Sequence, residues 1–170
     1  MAIKVGDKID QYNSILWTAT PEVDGVCSMA KKVESNDLFL NKKVVVFAIP
    51  GAYTPTCTAE HLPSYLKLHK EIRAKGVDAI YCISTNDPFV MLAFEDIHNT
   101  KAQGVTMLSD GNFEFTKKIG AQMDGSGMGL GTQRTVRYAL VIDNGIVTVA
   151  EIENGAAYEK SSAEDILKKL

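Results

Sequence analysis

In the segment Pro50-Gly51-Ala52-Tyr53-Thr54-Pro55-Thr56-Cys57, a threonine and a proline lead directly into a cysteine. Thr54 followed by Pro55 reads as a helix start. The threonine can cap the first turn, and proline at the first helical position loses no hydrogen bond. Cys57 then falls in that first turn, where unpaired N–H groups and the positive end of the helix dipole favour an anion. The position therefore favours the thiolate, the nucleophilic form of cysteine. The competing reading is a buried structural thiol. Thr54-x-x-Cys57 also has the spacing of a two-cysteine exchange motif, but with its first sulfur replaced, so disulfide exchange within this turn is excluded.

Other residues could join such a nucleophile. The chain has arginines at 73, 134 and 137. Arg137 is read as a strand residue among Val136, Ala139, Leu140, Val141 and Ile142. A guanidinium in such a run needs an anion, either the Cys57 thiolate or a carboxylate. Arg134 reads as a loop or rim charge. His61, one helical turn beyond Cys57, could act as a base for it, but helix and arginine already account for thiolate formation, so His61 is read as structural. Glu60 is expected to face solvent. Cys82 lies in the apolar run GVDAIYCIST and reads mainly as a core thiol; Cys27 has no assigned role. The glycines of Asp124–Gly131 precede a strand rather than joining a strand to a helix, so a dinucleotide site is not expected. Histidines 61, 69 and 98 are scattered, and no metal site is expected.

Pro50, Thr54 and Cys57 form Pro-x-x-x-Thr-x-x-Cys, which resembles the active-site signature of peroxiredoxins. PGAYTPTC, STNDPFVM, GMGLGT and SSAEDIL are similar to the peroxiredoxin-5 and plant type II branch, and the resemblance runs from about Val5 to the end. It implies a thioredoxin-like fold and a thiol peroxidase acting on hydrogen peroxide and organic hydroperoxides. Cys57 would be the peroxidatic cysteine and become a sulfenic acid. Thr54 would hydrogen-bond the reacting atoms, Pro50 would shield the thiolate and set the loop, and Arg137 would be the catalytic arginine. Cys82 matches a second cysteine of plant type II relatives and is the candidate resolving residue. Some relatives resolve through a cysteine near the C-terminus, and none follows Cys82 here. No metal, flavin or haem is implied. Glutathione with glutaredoxin, or thioredoxin, would supply electrons, and a homodimer is expected by analogy.

The elements that must position these residues follow from pattern. Lys43–Ile49 and Val77–Ser84 read as strands buried on both faces, joined by a helix over Thr56–Ala74. Short strands are expected at Ile15–Thr18 and Val26–Met29 around a Pro21–Gly25 turn. Helices are expected at Asp87–His98 and Asn112–Ile119, with a strand at Val105–Leu108 between them. Thr135–Asp143 and Ile146–Ile152 should form a hairpin through Asn144-Gly145. A helix over Ser161–Leu170 should open on a Ser161/Glu164 capping box. This gives an α/β fold, a mixed central sheet covered by helices on both faces.

The chain has 170 residues, enough for one domain. Hydrophobic residues make up 45% and charged residues 23%, which argues against disorder. A net charge of −3 provides no general field for nucleic acid. No apolar run is long enough to span a membrane and no secretory signal is evident, so a cytoplasmic protein is expected, or an organellar one if a leader has been removed. A rival reading is a thioredoxin-fold redox sensor or chaperone module without efficient turnover.

Overall fold

The computed structural model describes residues 2–21 and 28–170. The strands are β1 (Ile15–Ala19), β2 (Ala30–Glu34), β3 (Lys43–Ala48), β4 (Ala79–Ser84), β5 (Val105–Ser109), β6 (Gln122–Met123), β7 (Arg134–Thr135), β8 (Tyr138–Asp143) and β9 (Ile146–Ile152). The α-helices are α1 (Ser35–Phe39), α2 (Leu62–Ala74), α3 (Pro88–His98), α4 (Glu114–Lys118) and α5 (Ala163–Leu167). The main sheet runs β2-β1-β5-β4-β3-β8-β9. β3, β4 and β5 are parallel, and β8 joins β3 antiparallel.

The run KVVVFA forms β3 because alternate residues enter two different cores. Val45 and Phe47 pack with Leu62, Tyr65 and Ile72 of α2, Phe94 of α3 and Ile166 of α5. Val44, Val46 and Ala48 pack with Phe39 of α1 and Phe115 of α4. Helices thus cover both faces of a mixed sheet, as expected. The Asn144-Gly145 turn has φ of 48° and 83°, the two positive values that a type I′ hairpin needs. Asp87 caps α3 by accepting from the N–H groups of Phe89 and Val90.

Four local expectations are corrected. β2 starts at Ala30, and Ser28 and Met29 carry no strand; Val26, Cys27 and most of the Pro21–Gly25 turn lie outside the described residues. α1 has no counterpart in the sequence reading. The last helix is capped by Ser162, whose hydroxyl oxygen accepts from the Asp165 N–H, and not by Ser161. Ser161 is drawn away because its hydroxyl donates to Glu153. Finally, the strand expected over Thr135–Asp143 is broken. Val136 and Arg137 lie between β7, which pairs with β6, and β8, which pairs with β3 and β9.

Candidate active site

The site lies beyond the C-terminal ends of β3 and β4, where the chain leaves the sheet. The Ile49 N–H still donates to Ile83 O, and then the chain turns through Pro50, Gly51 and Ala52, all buried. Asn86, just past β4, accepts from the Ala52 N–H at 2.8 Å and from the Ser84 hydroxyl at 2.7 Å. Tyr53 has φ of 64°, an unusual conformation for a bulky residue. Its ring meets Phe94 edge-on at 5.0 Å, which helps to hold it there.

Thr54 does not cap the helix with its side chain. Its backbone oxygen accepts the first helical hydrogen bond, from the Thr58 N–H at 3.0 Å. Its hydroxyl turns back and donates to Gly51 O at 2.8 Å, which closes the turn before the helix. The oxygen lone pairs remain chemically available to accept from a substrate O–H.

Helical backbone starts at Pro55, and Cys57–His61 is a π-helical turn in which the Leu62 N–H bonds to Cys57 O. Such turns often mark functional positions. Cys57 is 1% exposed. Arg137 Nη1 lies 3.5 Å from Cys57 Sγ and 3.1 Å from His61 Nδ1. Arg137 Nε donates to Ala157 O at 3.1 Å, and the guanidinium carbon is 5.5 Å from the Tyr158 ring centre. Among the described residues, no carboxylate lies within ion-pair distance of Arg137. The carboxylate alternative is therefore not met. The arginine is 2% exposed, and the sulfur is the group among its partners that can carry a negative charge.

His61 is buried and does more than complete a helix. Its Nε2 lies 3.0 Å from Ser161 O, an acceptor only, so the proton sits on Nε2 and Nδ1 offers a lone pair to Arg137. Burial first, and then the charge of Arg137, push this imidazole down to about 3. With Nδ1 engaged by the guanidinium, the ring orients the arginine and is not placed as a base for Cys57. Glu60 is exposed, as expected.

Arg134 is more than a rim charge. Its Nε donates to Leu130 O at 2.7 Å and its Nη1 to Pro50 O at 3.4 Å. It thereby ties the glycine-rich loop to the turn before Cys57. That loop closes on itself through Gly125 N–H to Gly131 O and Leu130 N–H to Gly125 O. A Cβ on Gly125 would stand 2.8 Å from Leu130 Cβ, so this closure needs glycine. Cys82 sits in β4 between Phe47 and Met107, fully buried. Burial, then the neighbouring Cys57, push its thiol well above the ordinary range.

Sequence reading missed Asn86, the π-helical turn, Tyr158 and the reach of Arg134. Asn86 had one available signal: it follows a parallel strand, where crevice residues of α/β sheets lie. The others depend on contacts between distant segments.

A cysteine in the first turn of a helix that leaves a parallel strand, facing a buried arginine, places this molecule among the thiol-dependent redox proteins of thioredoxin-like fold. A family model described as Redoxin matches residues 4–167. Peroxiredoxin-2E-2, chloroplastic, of Oryza sativa subsp. japonica is 45% identical, with 99% of this chain and 72% of that protein covered. Peroxiredoxin-2E, chloroplastic, of Arabidopsis thaliana is 44% identical over 99% of this chain and 70% of that protein. The crystal structure of reduced Prx3 from Vibrio vulnificus in complex with hydrogen peroxide is 41% identical, covers 98% of each chain and superposes with a TM-score of 0.85. The chain belongs to the redoxin family and, within it, to the peroxiredoxins. It is a thiol peroxidase.

Proposed function

We propose that Cys57 is the peroxidatic residue and that its cycle runs through an external thiol. The Cys57 thiolate attacks one oxygen of a hydrogen peroxide or an organic hydroperoxide. The O–O bond breaks, the leaving oxygen takes a proton and departs as water or an alcohol, and the sulfur becomes a sulfenic acid. Arg137 stabilises the thiolate and the charge that develops on the oxygens. Thr54 accepts a hydrogen bond from the substrate, and Pro50 shields the sulfur. A first thiol then condenses with the sulfenic acid, releasing water and leaving a mixed disulfide. A second thiol displaces Cys57 and forms the reductant's disulfide. The reductant is glutathione with glutaredoxin, or thioredoxin. Cys82 stays a core thiol, a reading supported by its burial between Phe47 and Met107.

The carrying observation is Arg137 Nη1 at 3.5 Å from Cys57 Sγ with no carboxylate beside it among the described residues. The proposal extends to a homodimer and to a reducing compartment, cytoplasmic or organellar; the chloroplastic names of the two plant relatives favour the organellar side. The test is peroxide consumption with a thiol donor by Cys57→Ser, Cys82→Ser and Cys27→Ser variants. Only Cys57→Ser should abolish turnover. Substantial activity in that variant would falsify the assignment.

A further inference from the structure

Residues 154–160, the sequence NGAAYEK between β9 and α5, contain no regular helix or strand. Yet this strap supplies two of the groups that surround the Arg137 guanidinium. Ala157 O accepts from its Nε at 3.1 Å, and the Tyr158 ring lies 5.5 Å from its Cζ. Tyr158 also packs on His61, with ring centres 5.1 Å apart. Beyond the strap, Ser161 O receives the His61 Nε2–H, which leaves Nδ1 for Arg137 Nη1. The same Ser161 O accepts from the Tyr65 hydroxyl at 2.9 Å.

One side chain closes the strap. Glu153 is 4% exposed, and its Oε1 accepts from the N–H groups of Glu159, Lys160 and Ser161 and from the Ser161 hydroxyl, all at 2.8–2.9 Å. Bonds to an ionised acceptor are about twice as strong as neutral ones, so this single oxygen can hold an irregular segment in place. The Glu153 N–H also donates to Arg137 O at 2.9 Å. The residue thus holds the arginine's backbone directly and its side chain through the strap. It touches neither the sulfur nor the guanidinium. The geometry points to Glu153 as a positioning residue for Arg137: its carboxylate sets the strap, and the strap and His61 aim the guanidinium at Cys57.

This inference rests on the proposed role of Arg137. The experiment compares Glu153→Ala and Glu153→Gln in the wild-type chain and in Arg137→Met. Two quantities are read: the second-order rate with hydrogen peroxide, and the pH midpoint of Cys57 alkylation by iodoacetamide. Folding is monitored by circular dichroism. In the wild-type background, Glu153→Ala should lower the peroxide rate by about 10- to 100-fold, the scale of a misplaced catalytic group, and raise the alkylation midpoint. Glu153→Gln, which keeps an acceptor oxygen, should fall between. In Arg137→Met, neither change should reduce the rate much further, because the group being positioned is gone. If Glu153→Ala does not fold, Glu153→Gln and Tyr158→Leu carry the same comparison. Equal losses in both backgrounds, or no loss in the wild-type background, overturn the inference while leaving Arg137 its role. An Arg137→Met variant as fast as wild type removes the role of Arg137 itself, and the inference with it.

Discussion

Arg137 and Cys57 lie 80 residues apart in the chain, yet the arginine's Nη1 stands 3.5 Å from the sulfur. Ala139 and Val141 of β8 face the core that contains Cys57, and Arg137, two residues before Ala139, continues that face. The same nitrogen's other hydrogen goes to His61, so guanidinium, imidazole and sulfur are held as one group.

Removing this guanidinium should slow the chemistry. A charge-assisted hydrogen bond of about 1.5–3 kcal/mol corresponds to roughly 10- to 150-fold in rate. Arg137→Met should lower the second-order rate with peroxide by that factor and move Cys57 alkylation to higher pH. Stopped-flow kinetics on a variant shown to be folded provides the check, and an unchanged rate sinks the role.

Arg134 should behave differently. It binds the carbonyls of Pro50 and Leu130 rather than the sulfur. Arg134→Met should reduce the peroxide rate less than Arg137→Met does and leave the pH midpoint of Cys57 alkylation in place. A shift of that midpoint as large as in Arg137→Met would show that Arg134 acts on the sulfur directly.

Thr54 separates two uses of a hydroxyl. Because it donates to Gly51 O and caps nothing, Thr54→Val should cost about 1 kcal/mol for a lost turn hydrogen bond. It should also lose most turnover, since the acceptor proposed for the substrate O–H is removed. Thr54→Ser should retain both. Urea unfolding and peroxide assays on the pair check this, and full activity in Thr54→Val would leave the hydroxyl with a purely structural part.

His61 gives stability a pH dependence. Its imidazole is held at about 3 in the folded chain against an ordinary value of 6.5. Below pH 6.5 the unfolded chain takes up a proton that the folded chain refuses, so stability falls as pH drops. This contribution is complete above about pH 6.5 and is lost progressively toward pH 3. At ~1.4 kcal/mol per pH unit, lowering pH from 6.5 to 5 should remove on the order of 2 kcal/mol. Urea midpoints of wild type and His61→Gln at pH 7.5 and 5 test this. The wild type should lose stability more steeply, and parallel losses in both would refute the assignment.

Recycling can be read by intact mass after peroxide alone. Gain of one or more oxygens on Cys57, converting to a glutathione adduct when glutathione is added before over-oxidation, is the expected result. A loss of two hydrogens mapped to Cys57–Cys82, and absent in Cys82→Ser, would make Cys82 the resolving residue. That bond requires Cα atoms within about 7 Å.

The placing of Cys57 at a helix start, its loop and the sheet around them were legible in the sequence because local chemistry dictates them. Thr54-Pro55 starts a helix by backbone constraint, KVVVFA alternates between two cores, and Asn144-Gly145 permits the turn its hairpin needs. These are properties of neighbours along the chain. The tertiary structure alone decided that His61 turned its lone pair to Arg137, that Arg134 reached Pro50, and that Glu153 gathered the strap. Each of these is a competition between hydrogen-bond partners, settled by distances of about 3 Å between groups brought together by folding. A residue's type states what it can bond, but burial among particular neighbours decides what it does bond.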